Sequence, residues 1–215
     1  MSIDGGAVTN YPNTLTPNGP LAIVVPAGAL GSHTIKVAIV TGAVYFNGIE
    51  ATIGTAGVRV TRWGMAVSQA SWLVNGQGGS ASDPATGSLA ASFNLFPPDL
   101  SIISFGVNEY LSNIAVATYS AMMQTIITKA KTKGDVLLVT GTPNYSTTAT
   151  PAQALYAAAL YDLADANDVA LFDLADRWQT FALSSALYQD GVTHPNAAGH
   201  WDIAEATYQA IGTAV

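Results

Sequence analysis

An aspartate and a histidine lie four residues apart in the run Asp190-Gly191-Val192-Thr193-His194-Pro195-Asn196, which opens the last helical pattern of the chain. A carboxylate can orient a histidine and stabilise its positive charge, and the histidine then acts as a general base toward a serine. Asp190 and His194 are our candidates for such a pair. Taken alone, the run also fits a surface loop in which both side chains are only hydrated.

A second run, Phe105-Gly106-Val107-Asn108-Glu109, follows an apolar strand pattern, and Gly64 follows another. An asparagine amide and a glycine N–H at one rim can stabilise an oxyanion, which is worth roughly 3 to 4 kcal/mol per donor in acyl transfer. Each residue alone also fits a turn that ends a strand. Their joint placement with Asp190 and His194 favours a catalytic site.

Strand and helix patterns alternate from residue 58 onward, which predicts an α/β fold with a parallel sheet. The predicted strands are 58–63, 99–105, 135–140 and 169–173. The intervening helices include one with a stripe of Val116, Tyr119, Met123, Ile126 and Ala130, and the last begins at about Pro195, with Trp201, Ala204, Tyr208 and Ile211 expected to face the core. In such a sheet the working groups gather at the carboxyl ends of the strands.

The chain divides into three predicted parts. Residues 1–20 are rich in turn residues and fit an arm or linker, and residues 21–56 form a β-rich segment that fits antiparallel hairpins. Residues 57–215 form the α/β domain. No apolar segment is long enough to span a bilayer, and the first residues lack the pattern of a secretory signal, so no compartment is predicted from the residues.

Composition excludes several classes of function. The chain has 215 residues, a net charge of −7 and no cysteine, so we expect no nucleic-acid partner, no disulfide and no thiolate metal site. Three scattered histidines argue against zinc. The glycine-rich run 76–79 is not followed by a helical pattern, which argues against a nucleotide or flavin binder. We expect no metal and no cofactor.

These motifs resemble those of the SGNH (GDSL-type) hydrolases. Gly64 matches the glycine of that family's second block, and Gly106-Val107-Asn108-Glu109 matches its Gly-x-Asn-Asp block with Glu in the last place. Asp190 and His194 approximate its Asp-x-x-His block with one extra residue between them. The resemblance implies a three-layer α/β/α, flavodoxin-like fold, with His194 as base, Asp190 as its partner, and Gly64 and Asn108 as oxyanion donors.

The serine nucleophile is left open, because the chain contains no Gly-Asp-Ser. Ser32 is one candidate. In a second alignment Gly42-Ala43-Val44 occupies the nucleophile turn, and Val44 would abolish acyl chemistry. In a third, residues 21–56 resemble the last hairpins of a jelly-roll module inserted in some family members, including phage tail proteins. The nucleophile strand would then lie upstream of Met1 or on another chain.

Two functions follow from the resemblance. The first is an esterase or deacetylase acting on an acylated polysaccharide or lipid. The second is a catalytically inactive structural or carbohydrate-binding protein of a virion, whose N-terminal arm docks onto other chains by adding a strand. The resemblance also implies a virion or extracellular location. The missing Gly-Asp-Ser favours the second function, and the retained Gly, Asn, Asp and His residues favour the first.

Overall fold

The computed structural model describes residues 1–10, 25–26, 28–29, 31–38, 60, 68–75, 97–143, 152–190 and 193–212. Gly64, Val44 and the glycine-rich run 76–79 lie outside the described residues, as do most of the predicted hairpin region and most of the strand at 58–63. The described residues fall into two compact units, Met1–Arg62 and Trp63–Val215.

In the N-terminal unit, two short strands pair in an antiparallel manner. Strand β1 (Ser2–Ile3) pairs with β2 (Ile35–Lys36), with Ser2 opposite Lys36. The carboxylate of Asp4 reinforces this pairing, because its Oδ1 accepts a hydrogen bond from the Thr34 main-chain N–H at 2.7 Å. The described part of the predicted arm is therefore tied into a sheet of its own unit.

The second unit alternates strands and helices, as the pattern of apolar residues predicted. Its described elements are α1 (Ala70–Asn75), β3 (Leu100–Ser104), α2 (Val107–Leu111), α3 (Val116–Lys131), β4 (Asp135–Val139), α4 (Gln153–Asn167), β5 (Ala170–Phe172), α5 (Leu174–Trp178), α6 (Phe181–Ser184) and α7 (Ala197–Gly212). The predicted stripe of α3 is confirmed, since Tyr119, Met123 and Ile126 are fully buried.

A parallel sheet in the order β3-β4-β5 forms the middle layer of this unit. Because successive side chains of β4 point to opposite faces, Val136 and Leu138 pack with α1, α3 and α4, whereas Leu137 and Val139 pack with α5 and Ile203 of α7. Helices thus cover both faces of β4. The predicted three-layer α/β fold, with a separate antiparallel strand pair near the N-terminus, is confirmed.

The last helix is rotated relative to the sequence-based expectation. Trp201 and Tyr208, predicted to face the core, are 75% and 73% exposed. Two close contacts set the rotation instead. The carboxylate of Asp202 accepts hydrogen bonds from Arg177 and from the Trp178 indole, and Gly199 lies so close to Tyr188 that an added Cβ would be 2.1 Å from its carbonyl oxygen. Polar partners and a close backbone approach, rather than the predicted apolar stripe, orient this helix.

Within the described ranges, none of the helices combines the length and the apolar character that a bilayer crossing requires.

Candidate active site

Asp190 and His194 form a close pair. Nδ1 of His194 lies 3.1 Å from Oδ2 of Asp190, and the two side chains are 80% and 44% exposed respectively. When Nδ1 carries its proton and donates it to the carboxylate, Nε2 is the free acceptor of the ring. This is the geometry that a general base needs, and the extra residue between Asp190 and His194 does not prevent it.

The loop that carries this pair is closed on itself. The main-chain N–H of Asp190 donates to the carbonyl of His194 at 2.8 Å, and Oδ1 of Asp190 accepts from the N–H groups of Thr193 and His194 at 3.2 Å each. One oxygen of Asp190 therefore shapes the turn while the other meets the imidazole. A single carboxylate can do both because the residues lie only four apart.

Helix α7 begins directly after this loop, and Asn196 is its N-cap. Oδ1 of Asn196 accepts from the Gly199 N–H at 2.9 Å, and its Nδ2 donates to the Gln189 carbonyl at 3.0 Å. One side chain thus starts the helix and holds the chain that precedes Asp190. Pro195, two residues before the first helical residue, forms an isolated antiparallel β-bridge with Gln189.

Two side chains outside the predicted site anchor the His194 loop to the segment that follows β4. The hydroxyl of Thr142, which follows β4, donates to the carbonyl of Thr193 at 3.0 Å. Nε2 of the buried Gln189 donates to the carbonyl of Pro143 at 3.0 Å. No local motif marks either residue, because the paired groups are 46 and 51 residues apart. The position of Thr142 at a strand end was the only available signal.

Asn108 lies in the first turn of α2, just after the carboxyl end of β3. Its Nδ2 donates to the carbonyl of Ser68 at 2.8 Å, which uses one of the two amide hydrogens. The second hydrogen is the one that an oxyanion would accept. Asn108 is half-buried, and the hydrogen bond to Ser68 holds its amide in place.

Glu109, the residue that departs from the family's pattern, is a structural anchor. Its side chain is completely buried, and its two oxygens accept hydrogen bonds from the N–H of Ala70 at 2.5 Å and from that of Gly106 at 2.9 Å. It therefore ties the start of α1 to the turn that presents Asn108. Because the glutamate side chain is longer than the aspartate of the family's pattern, its carboxylate here reaches the N–H groups of both Ala70 and Gly106.

The segment that follows β4 connects the Asn108 turn to the His194 loop. A Cβ added to Gly141 would lie 2.6 Å from Cγ2 of Val107, so the β4 end packs directly against the residue before Asn108. The next residue, Thr142, holds Thr193, the residue before His194. Contacts thus run continuously from the neighbour of Asn108 to the neighbour of His194.

The other two predicted site residues are not brought to this edge by any described contact. Gly64 lies outside the described residues, and Ser32 is an exposed residue of the N-terminal unit. Ser32 is followed by His33, whose Nδ1 lies 2.7 Å from Oδ2 of Asp4 and whose Nε2 lies 2.8 Å from the carbonyl of Ala29. The hydrogen bond to Asp4 raises the pKa of His33, and the bond to Ala29 raises it further. With acceptors at both nitrogens, His33 is suited to be a cation and not a base for Ser32.

Metal ligands do not gather in the part of the chain that the structure describes, since it contains no group of three or more His, Cys, Asp or Glu side chains placed to hold an ion. The chemistry that the described groups offer is that of a base and a hydrogen-bond donor. An oriented imidazole and a positioned amide suit proton transfer together with stabilisation of a negatively charged oxygen.

Part of the chain is similar to known proteins. Residues 49–201 match the model of the GDSL-like lipase/acylhydrolase family, a range that includes Asn108, Asp190 and His194 but not Ser32. A crystal structure of a protein from Lactobacillus plantarum, a structural genomics target, is similar over 59% of this chain and 73% of its own, with 21% identity and a TM-score of 0.50. A second crystal structure covers 53% of this chain and 65% of its own, with 17% identity and a TM-score of 0.43. No curated protein matches the sequence.

Proposed function

The chain belongs to the GDSL-like lipase/acylhydrolase family, and we propose that it hydrolyses carboxylic esters with His194 as general base. The observation that carries the proposal is the Asp190–His194 pair, 3.1 Å apart, on a loop tied by Thr142 to the end of β4. A surface loop whose side chains are only hydrated does not require a hydrogen bond to the end of β4. We propose Asp190 as the group that orients the imidazole, with Asn108 and Gly64 as oxyanion donors.

The proposed reaction is acyl transfer through a covalent intermediate. Nε2 of His194 takes the proton of a serine hydroxyl, and the serine oxygen bonds to the ester carbonyl carbon. The amide of Asn108 stabilises the resulting oxyanion. When the C–O bond to the alcohol breaks, His194 gives its proton to the departing alcohol. A water molecule then hydrolyses the acyl-serine by the same steps.

Two sources of the serine are compatible with the sequence. One is Ser32, which lies in the N-terminal unit. The other is a serine outside this sequence, upstream of Met1 or on another polypeptide, because this sequence has no Gly-Asp-Ser. In both cases the base and the oxyanion donor belong to the second unit. The substrate that we propose is an acylated polysaccharide or an acylated lipid.

The test is hydrolysis of p-nitrophenyl acetate by the purified chain and by His194→Ala. His200→Ala is the matched control, since His200 is an exposed histidine of α7. We expect His194→Ala to lower the rate by about 10²- to 10⁴-fold and His200→Ala to leave it unchanged. Equal rates for the wild type and His194→Ala would refute ester hydrolysis by this chain alone. Ser32→Ala identifies the nucleophile, because loss of activity assigns it to Ser32.

The absence of Gly-Asp-Ser specifically favours a second candidate, an inactive carbohydrate-binding or structural protein of a virion. In that case the wild type and His194→Ala hydrolyse the ester at the rate of the buffer alone. The wild type nevertheless sediments with insoluble acetylated xylan and less with the deacetylated polymer. Hydrolysis that depends on His194 would exclude this candidate.

A further inference from the structure

The last helix, α7, carries an apolar stripe on the side that faces away from the sheet. Its inner side is formed by Gly199, Asp202 and Ile203, which contact the preceding loop, α5 and β4. The residues of this outer stripe are spaced four and three positions apart: Ala197, Trp201, Ala204, Tyr208 and Ile211. At about 3.6 residues per turn they span an arc of roughly 80°, opposite the inner side.

All five residues of the outer stripe are exposed. Trp201 and Tyr208 are 75% and 73% exposed, and Ile211 is 37% exposed. Because the members lie about one turn apart on one helix face, they are neighbours and form a contiguous patch. Single exposed apolar residues are common on protein surfaces, whereas a contiguous apolar patch marks an interaction site.

The chemistry of the outer stripe fits a protein surface and not a lipid surface. None of its five positions carries a charge, and α7 contains no lysine or arginine. Helices that lie on membranes place basic side chains beside their apolar face, and this chain has a net charge of −7.

The area of the outer stripe suits a pair of identical helices. The exposed parts of Trp201 and Tyr208 amount to roughly 300 Å² per copy. With Ile211 and the two alanines, two stripes in contact bury roughly 800 to 1,000 Å² in total, which is at the low end for specific protein pairs. An area of this size supports a reversible dimer.

Two antiparallel copies of the outer stripe complement each other in size. When the helices cross at the level of residue 206, Tyr208 of one copy faces Ala204 of the other, and Trp201 faces Ile211. Each pair places a larger side chain against a smaller one, which fills a helix interface without voids. A parallel pairing would instead set Ala204 against Ala204 and leave space there. The antiparallel contacts are reciprocal, as the twofold symmetry of a homodimer requires.

We propose that the outer stripe of α7 binds the same stripe of a second copy of this chain, in a reversible antiparallel dimer. Each copy supplies both the larger and the smaller side chains of the contact, so the interface is complete with two copies. The inference does not depend on ester hydrolysis, because the outer stripe contains none of the proposed catalytic residues.

The first measurement is sedimentation velocity of the full chain at about 5 to 500 µM, the range that suits a small interface. We expect a shift from monomer to dimer over this range. Trp201→Glu and Tyr208→Glu should each raise the Kd of the dimer by at least about 10-fold, because each places a charge in an apolar contact. Leu155→Glu is the matched control, since Leu155 is 50% exposed on α4. A chain that stays monomeric, or an equal rise in Leu155→Glu, would overturn the inference.

The second measurement exchanges a larger and a smaller side chain. Ala204→Tyr alone sets a second tyrosine against Tyr208 and should raise the Kd by about 10-fold, because the contact is then overpacked. Combining Ala204→Tyr with Tyr208→Ala restores a larger side chain against a smaller one, and we expect a Kd within about 3-fold of the wild type. General apolar attraction would instead make the single variant dimerise more tightly. That result, or a trimer in place of a dimer, would overturn the antiparallel pairing.

Discussion

The hydroxyl of Thr142 and the carbonyl of Thr193 lie 3.0 Å apart, in a hydrogen bond that joins the end of β4 to the loop of His194. Asp190 shapes that loop internally, but its internal bonds do not decide where the loop sits on the sheet. Thr142 supplies a direct connection to the strand end, and Gln189 adds a second through Pro143. The position of the proposed base thus depends on residues that take no part in proton transfer.

Thr142→Val tests this positioning role. Valine keeps the volume and removes the hydroxyl, so the His194 loop loses its bond to β4 and the base is misplaced. We expect kcat for p-nitrophenyl acetate to fall by about 10- to 100-fold, with activity largely kept in Thr142→Ser. Thr125→Val is the control, since it also removes a hydroxyl bonded to a carbonyl, that of Ala121. Full activity in Thr142→Val would contradict the prediction.

Asn108→Ala tests the oxyanion donor. We expect a fall of about 10²- to 10³-fold in kcat with little change in KM, because the amide acts on charge that develops only in the transition state. Gln69→Ala is the matched control: it removes the neighbouring bond from Gln69 to Ser112, 2.8 Å long, and leaves Asn108 intact. A purely structural role for Asn108 would instead lower stability and leave kcat of the folded protein unchanged.

Glu109→Gln tests the buried anchor. Glutamine has one acceptor oxygen, so its NH₂ group would face one of two N–H donors, and one donor loses its partner in a fully buried site. We expect a loss of about 3 kcal/mol in the free energy of unfolding, measured with urea at pH 7. Glu205→Gln, on the exposed side of α7, should change it by less than about 0.5 kcal/mol. Equal stability of both variants would refute the anchor role.

The Asp4–His33 pair predicts the pH dependence of the N-terminal unit. Hydrogen bonds to Asp4 and Ala29 raise the pKa of His33 above 6.5, so the stabilisation is complete below pH 6.5 and is lost as the pH rises through the raised pKa. The hydrogen bond with His33 lowers the pKa of Asp4 below 3.8, so its contribution is lost only as the pH falls through that lowered value. The pair is therefore most stabilising between these two limits.

An NMR titration of His33 checks this prediction. Asp4→Asn should bring the pKa of His33 back toward 6.5 and should remove the part of the thermal stability that the wild type loses as the pH rises above 6.5 through the raised pKa. Asp190→Asn is the control, because Asp190 pairs with His194 in the other unit. An unchanged His33 titration in Asp4→Asn would show that Asp4 does not hold the proton.

Local patterns in the sequence were sufficient for β3, β4 and β5, for the long helices α3, α4 and α7, and for one pair in the candidate site. The period of Tyr119, Met123 and Ile126 predicted α3, because burial of an apolar stripe dominates the placement of a helix. The spacing of Asp190 and His194 predicted their contact, because two residues only four positions apart in one turn lie close together in space. Both predictions depend on interactions within a short segment.

Tertiary structure alone decided the rest. In the sequence Glu109 is only a substitution in a motif, but its partner Ala70 lies 39 residues away, and Thr142 donates to Thr193 across 51 residues. The apolar stripe of the last helix gave a wrong prediction of its buried face. Asp202 of α7 accepts hydrogen bonds from Arg177 and Trp178, and Gly199 packs closely against Tyr188. These contacts orient the helix. Apolar burial is repetitive along a chain and can be predicted from its period. A single hydrogen bond or close approach between distant segments leaves no such period, so it becomes visible only when the folded backbone brings the two segments together.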